Sequence, residues 1–282
     1  MPALLACIAS VLWGSSDFLG GLSSRRLPTQ LVTGIALVAG LGTALVLFAV
    51  VGGDPTRQDL LLGAASGVLN CVGLIGLYRA LAMGPMSVAA PTTSVMGAGT
   101  AVVAGLLGGE RFTGLTALGA VAAIVAIVAV SREPEHEGKA ERAPGHVRRT
   151  LVVALLGGLA LGLANVCFAG TAVESGLAPL ALARAVAVAV LVGPALRSRP
   201  PTAIPRRDAA TAASAGATDA IATTAMLLAL QRGPLVLVGV LGALYPIMTV
   251  VLARVVLREV MGRWQVVGLG FGVAAVALLG LG

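Results

Sequence analysis

The chain has 282 residues, of which 57% are hydrophobic and 11% are charged, and its mean hydropathy is +0.98. Soluble domains carry about 25% charged residues, so most of this chain must face lipid rather than water. The net charge of +7 comes from arginines scattered over short loops between apolar runs. This distribution argues against a nucleic-acid-binding surface and favours loops that are retained on the cytoplasmic side of a membrane.

Ten apolar runs succeed one another along the chain, each about as long as a helix that crosses a bilayer. They lie at residues 3–22, 29–51, 59–82, 86–107, 112–130, 150–172, 177–196, 209–231, 235–256 and 262–281. About 20 helical residues cross a hydrocarbon core, whereas β-barrel strands are about half as long and alternate in polarity. The pattern therefore predicts an all-α integral membrane protein with ten transmembrane helices.

One long polar stretch, residues 132–149, separates the fifth run from the sixth. It mixes five basic side chains with four glutamates, a composition typical of a solvated linker. The predicted organisation is a five-helix unit at 1–131, a charged linker at 132–149 and a second five-helix unit at 150–282.

The two units are copies of one another. Residues 67–128 correspond to residues 216–277 with a constant offset of 149 and no gap. The pattern Ala-Leu-x-x-Gly-Pro at 80–85 returns at 229–234, and Glu110 returns as Glu259. Because each copy holds an odd number of helices, the second copy enters the membrane from the opposite side. This predicts two inverted repeats related by a pseudo-two-fold axis in the membrane plane, an architecture typical of carriers.

The loop arginines predict the orientation independently of the repeat. Fourteen of the 19 lysines and arginines lie in or directly beside the loops that follow runs 1, 5, 7 and 9, and the opposite loops hold only Arg57, Arg111 and Arg232. Loops rich in lysine and arginine stay in the cytoplasm. The distribution therefore predicts a multi-pass protein of the cell membrane with both termini outside.

Three motifs carry a family resemblance that covers nearly the whole chain. Residues 78–91 read YRALAMGPMSVAAP, residues 109–113 read GERFT, and residues 13–18 read WGSSDF. They resemble the helix-three-to-four signature, the Gly-Glu-Arg motif and the helix-one pattern of EamA-type transporters in the drug/metabolite transporter superfamily. The second copy departs from the Gly-Glu-Arg motif, because Val260 replaces the arginine. The resemblance implies a ten-helix carrier with a central cavity that works by alternating access, usually as an exporter of metabolites or drugs.

Five polar side chains inside the predicted helices are candidates for binding substrate or protons, because ionisable groups at bilayer depth usually face a cavity or a partner. Asp219 corresponds to Asn70 in the other copy, and Asp17 corresponds to Asn165. Asp17 resembles the acidic residue that small multidrug-resistance proteins, a four-helix branch of the superfamily, use for proton exchange. Arg184 needs a partner, either Asp219 or, second, Asp17, unless it faces a substrate carboxylate. Purely structural interhelical hydrogen bonds are the alternative for the acids and amides.

Aromatic and proline residues complete the candidate site. The aromatic candidates for lining a cavity are Trp13, Phe18, Tyr78, Phe168 and Tyr245. The alternative for each is a position facing lipid or the membrane interface. Pro91 and Pro246 lie in equivalent runs, where a proline frees a backbone carbonyl. They predict paired helix breaks, which in carriers point to the binding region.

Together these features predict a secondary-active transporter that exports small metabolites or drugs by alternating access and is coupled to protons through Asp17 or Asp219. No Walker motif for ATP is present. A membrane-embedded lipid-modifying enzyme, a channel, and an importer of sugars or other nutrients remain alternatives. We expect no catalytic residues, no metal, no cofactor and no nucleic acid. The expected partners are a small-molecule substrate, protons and the lipid bilayer, and both a monomer and a homodimer are compatible with the sequence.

Overall fold

The computed structural model describes residues 1–83, 86–110, 113–130, 144–195, 204–257 and 262–281, and every regular element in these ranges is a helix. The helices are α1 (Pro2–Ser24), α2 (Thr29–Val51), α3 (Arg57–Met83), α4 (Met86–Leu107), α5 (Gly114–Val130), α6 (Pro144–Ala169), α7 (Ala178–Ala195), α8 (Arg206–Leu230), α9 (Leu235–Gly242), α10 (Tyr245–Leu257) and α11 (Arg263–Leu281), with a 3₁₀ turn at Val173–Ser175. Helices α9 and α10 together form the ninth span and α11 forms the tenth. The predicted ten-helix membrane fold is confirmed.

The spans differ in how much of their surface lies inside the bundle. Six of the described spans are long and apolar enough to cross a membrane, and four shorter apolar helices complete the set. Helix α2 has a mean hydropathy of 2.5 but is only 22% buried, whereas α8 has a mean hydropathy of 1.3 and is 61% buried. A helix that exposes so apolar a surface is suited to lipid contact. Helix α2 therefore lies at the periphery, and the more polar α8 lies near the centre.

Helix pairs that are equivalent under the repeat make equivalent contacts. Helix α1 packs on α8 as α3 packs on α6, and α2 packs on α8 as α3 packs on α7. The hydroxyl of Ser16 in α1 donates to the carbonyl oxygen of Ala215 in α8 at 2.8 Å. The hydroxyl of Ser66 in α3 donates to the carbonyl oxygen of Ala164 in α6 at 3.1 Å. The positions pair as the repeat requires, although the hydroxyl stands on α1 in one contact and on α3 in the other.

Two equivalent glycines let helices approach backbone to backbone. A methyl group on Gly216 in α8 would overlap the carbonyl oxygen of Ala36 in α2. A methyl group on its counterpart, Gly67 in α3, would overlap the carbonyl oxygen of Ala183 in α7. Small residues allow such contacts, through which helices in lipid associate by close packing. The matched contacts align Ala36 with Ala183, so Leu37 in α2 stands where Arg184 stands in α7.

The end of the bundle that carries the N-terminus is held together by loop contacts between the two halves. The backbone N–H of Asp54 donates to the carbonyl oxygen of Glu174 at 2.8 Å. The carboxylate of Asp59, at the start of α3, accepts the N–H of Ala172 at 2.8 Å. The side-chain nitrogen of Gln231 lies 3.1–3.2 Å from four oxygens of the α6–α7 loop and donates its two hydrogens among them. These contacts link the α2–α3 loop, the α6–α7 loop and the end of α8.

The first two residues of the Gly-Glu-Arg motif, Gly109 and Glu110, close the end of α4 and cap the start of α9. Gly109 has a φ of +89°, which glycine adopts without steric cost and which allows the hydrogen-bonded turn that closes α4. The carboxylate of Glu110 then accepts the N–H groups of Leu235 at 2.6 Å and Val236 at 2.9 Å. A carboxylate at this position caps the free N–H groups of α9 and complements its dipole. Residues 258–261, which include Glu259 and Val260 of the second copy, lie outside the described residues.

The predicted pair of proline breaks is wrong for the first copy. Helix α4 continues through Pro91, whereas the ninth span is interrupted at Ala243 and Leu244, directly before Tyr245 and Pro246. Pro91 is the sixth residue of its helix, so its missing N–H removes a single hydrogen bond in the second turn. Pro246 instead stands in the first turn of α10, where no N–H is needed.

The predicted linker, residues 132–149, extends too far, because its last six residues belong to a helix. Helix α6 begins at Pro144, so residues 144–149 are helical, and proline is favoured at the first position of a helix. Residues 131–143 lie outside the described residues.

Candidate functional site

Helices α1, α3, α4, α6 and α8 and the ninth span surround a central cavity of about 60 Å³. Six of the predicted site residues line it: Trp13, Asp17, Asn70, Asn165, Asp219 and Tyr245. The structure thus brings both predicted acid–amide pairs to one cavity, with an acid and an amide from each copy. A cavity needs roughly 10–15 Å³ of such volume to hold one water molecule, so this cavity is small and has room for only a few.

Arg184 forms an ion pair with Asp219. Its Nη2 lies 2.6 Å from the Oδ2 of Asp219, and both side chains are almost completely buried. The same Nη2 donates to the hydroxyl of Thr223 at 2.8 Å, and Nη1 donates to the side-chain oxygen of Asn70 at 3.3 Å. An isolated arginine at this depth would be costly. The carboxylate supplies the opposite charge, and together with Thr223 and Asn70 it supplies three of the acceptors that the guanidinium loses on leaving water.

Thr223 was not among the predicted site residues, yet it joins three helices. It follows Asp219 by one helical turn on the same face of α8, and its hydroxyl donates to the backbone carbonyl of Asp219 at 2.8 Å. It accepts hydrogen bonds from Arg184 on α7 and, at 3.4 Å, from the indole nitrogen of Trp13 on α1. A sequence signal for Thr223 exists: it lies four residues after Asp219, an acid in the middle of a span, and therefore on the same face of the helix.

The guanidinium of Arg184 does not line the cavity. Its Nη1 and Nη2 atoms are bound to protein oxygens, and its Nε is buried without a hydrogen-bond partner among the described residues. The two-nitrogen fork that recognises carboxylates is therefore already occupied. Of the two alternatives from the sequence, an ion pair or a site for a substrate carboxylate, the structure contains the ion pair.

Asp17 is the other carboxylate of the cavity, and it is buried with 5% of its surface exposed. Within the described ranges its carboxylate makes no hydrogen bond and no ion pair. The site therefore contains two carboxylates and one guanidinium. With both acids ionised it carries one negative charge in excess, and that charge lies on Asp17, because Asp219 is neutralised by Arg184.

The cavity has one aromatic corner. The rings of Trp13 and Tyr245 meet edge to face, with centroids 6.5 Å apart and planes at 82°. The hydroxyl of Tyr245 donates to the carbonyl oxygen of Ala90 in α4 at 3.2 Å. This edge-to-face geometry is favourable for aromatic pairs. The hydrogen bond ties the start of α10 to α4 across the break in the ninth span.

Three of the aromatic candidates do not line the central cavity, and one of them, Phe18, lies in the wall of a separate cleft. Tyr78 is completely buried, and its ring lies against Gly20 of α1, where a methyl group would overlap the ring. Phe168 is also buried and belongs to the apolar core of the bundle. Both side chains fill space between helices. The sequence could not separate these roles, since an aromatic residue in an apolar run carries no signal of the face that it occupies.

Ser94 and Ala243 lie where the two copies meet. They are separated by 149 residues, so each is the counterpart of the other, and the hydroxyl of Ser94 donates to the carbonyl oxygen of Ala243. Counterparts touch each other only near the axis that exchanges them. Ala243 also lies in the break between α9 and α10, where Ile247 donates its N–H to Leu244 rather than to Ala243. Ser94 thus replaces a lost helical hydrogen bond at the wall of the cavity.

The chain is similar to known proteins in both sequence and fold. The model of the EamA-like transporter family matches residues 1–132 and again residues 148–281. A protein described only as "Crystal structure of protein" has the same fold, with a TM-score of 0.78 at 18% identity over 99% of this chain and 96% of that chain. No curated protein sequence matches this one. Because the family model covers nearly the whole chain in two copies, this protein belongs to the EamA-like transporter family.

Proposed function

We propose that this transporter is a secondary-active exporter of small metabolites or drugs, coupled to protons and working by alternating access in the cell membrane. The observation that carries the proposal is the carboxylate of Asp17, buried in the central cavity without a hydrogen bond or an ion pair among the described residues. A buried carboxylate without a partner gains stability when it binds a proton or a cation. Competition between a proton and a substrate for one carboxylate couples their movements.

The charges of the site also favour one class of substrate. Arg184 is occupied by Asp219, Thr223 and Asn70, so a substrate carboxylate would find no free cation in the described cavity. A small cation would meet Asp17, with the rings of Trp13 and Tyr245 close by. Neutral polar metabolites find hydrogen-bonding groups there, whereas anions meet an excess of negative charge. The proposed substrates are therefore small organic cations or neutral polar molecules.

The coupling can be tested in reconstituted vesicles that contain a pH-sensitive dye. An outward gradient of guanidinium or choline should drive protons inward and acidify the lumen, relative to vesicles without protein. Asp17→Asn should abolish the acidification, and Asp54→Asn should not, because Asp54 lies exposed in the α2–α3 loop. Full coupling in Asp17→Asn would remove the proton role from this residue.

Two further solutes test the substrate class in the same vesicles. Gradients of lactate should leave the internal pH unchanged, because the cavity offers an anion no free cation. Acidification driven by lactate but not by the cations would contradict the charge argument. Proton movement driven by glucose alone would favour the alternative of a nutrient carrier.

We propose further that both termini lie outside the cell. The support is the charge of the loops, since 14 of the 19 lysines and arginines lie in or directly beside loops on the other side. Alkaline phosphatase fused after Gly282 should be active, because it folds only outside the cytoplasm, and green fluorescent protein at the same position should be dark. The reverse pattern would place the termini inside.

A further inference from the structure

A second, larger cavity lies away from the central one. It is a cleft of about 370 Å³ between the C-terminal half of α1, the first turns of α8 and the last turns of α10. All three segments lie at the end of the bundle opposite the N-terminus. The α1 side of the cleft is one helix face, formed by Ser15, Phe18, Leu19 and Leu22, and Arg26 follows in the turn after α1.

The cleft is polar at its mouth and apolar along its walls. Leu19 and Leu22 of α1 face Leu252 and Val256 of α10. Ser24, the last residue of α1, and Ser15 are separated by about 14 Å along the helix, which is nearly half of a hydrocarbon core, and Arg26 lies in the turn beyond. The apolar part of the cleft therefore extends to a depth where acyl chains lie.

The mouth carries an excess of positive charge. Its charged groups are Arg26, Arg207 and Asp208, and the Nη1 of Arg26 lies 3.2 Å from the Oδ1 of Asp208. Arg207 is exposed, and within the described ranges its side chain forms no ion pair. One cation is thus left over where α8 enters the bilayer. Arginine near the surface of a membrane attracts anionic headgroups, and its guanidinium binds phosphate through two hydrogen bonds.

We propose that this cleft is a binding site for an anionic phospholipid of the adjacent leaflet. The lipid phosphate binds Arg207 and Arg26 at the mouth, and an acyl chain lies between Leu22 and Leu252. A soluble phosphate would satisfy the arginines but would leave the apolar walls uncovered. The combination of a charged mouth with a long apolar wall therefore favours a lipid.

The experiment measures lipid binding to the purified full-length protein by native mass spectrometry, with phosphatidylglycerol and phosphatidylcholine of identical acyl chains. Phosphatidylglycerol should bind more tightly, and Arg207→Gln should weaken its binding about fivefold, the effect of one arginine at a membrane surface. The control is Arg57→Gln, an exposed arginine at the opposite end of the bundle, which should bind as the wild type does.

A second variant, Leu252→Trp, fills the apolar wall without changing the charge and should also weaken the binding of phosphatidylglycerol. Melting temperatures of the lipid-free variants establish that each is folded. Equal binding of the two lipids would overturn the proposal, as would an effect of Arg57→Gln as large as that of Arg207→Gln. Glycerol phosphate that competes as well as the lipid would also overturn it, because it would identify a site for a soluble anion.

Discussion

The contribution of the buried Arg184–Asp219 ion pair to stability can be tested quantitatively, because the first copy shows an uncharged alternative at the equivalent positions. Arg184→Leu leaves the carboxylate of Asp219 in the interior without its cation, with 11% of that side chain exposed. Removing one partner of a buried pair typically costs about 3–5 kcal/mol. The double variant Arg184→Leu, Asp219→Asn instead recreates the first copy, where Leu37 and Asn70 hold the equivalent positions without charge. It should therefore recover most of the lost stability, because no uncompensated charge remains.

The assay is a double-mutant cycle on the free energy of unfolding in mixed micelles, supported by melting temperatures. Arg184→Leu and Asp219→Asn should each destabilise the protein by several kcal/mol, and the double variant should be more stable than either single variant. Arg232→Leu, at an exposed position, is the matched control and should cost about 0.5 kcal/mol or less. Additive losses in the double variant would refute the argument, since they would show that the two side chains act independently.

Three other predictions concern the fold around the site. Glu110→Gln should lower stability by about 1 kcal/mol in thermal unfolding, since the carboxylate caps α9, whereas Glu174→Gln, in an exposed loop, should not. Gly216→Ala should abolish the folded protein in size-exclusion chromatography, because its methyl group has no space, whereas Gly270→Ala, with nothing within 4 Å, should fold normally. Ser94→Ala should slow transport in vesicles more than it lowers the melting temperature, because it removes a hydrogen bond at the cavity wall; an unchanged rate would contradict this reading.

The membrane fold could be predicted because its signals are local or periodic. Each span is an apolar run of bilayer length, and the offset of 149 identifies equivalent positions without any structure. The same alignment pairs Asn70 with Asp219, and at an offset of 148 it pairs Asp17 with Asn165. All four residues line the central cavity. The cavity therefore brings together residues that the repeat pairs.

The remaining features depend on helix rotation and on exact helix starts, which apolar runs do not specify. The partner of Arg184 depends on which face of α7 meets α8, and the sequence left both acids available. Tyr78 and Phe168 pack between helices for the same reason. Pro91 and Pro246 occupy equivalent spans, but the effect of a proline depends on how far it lies from the first residue of its helix. An apolar run does not specify where α4 and α10 begin, so the sequence could not distinguish the two prolines.

The asymmetry of charge between the two copies bears on the proposed coupling. The ion pair of Arg184 and Asp219 is neutral as a whole, and the first copy holds the uncharged Leu37 and Asn70 at the equivalent positions, so neither pair changes the balance of charge in the cavity. The imbalance comes from Asp17, whose counterpart in the second copy is the uncharged Asn165. Asp17 then holds the excess charge of the cavity. A carrier coupled through one exchangeable charge needs such an imbalance, because a site already neutral with every acid ionised has no electrostatic need for a proton or a cation.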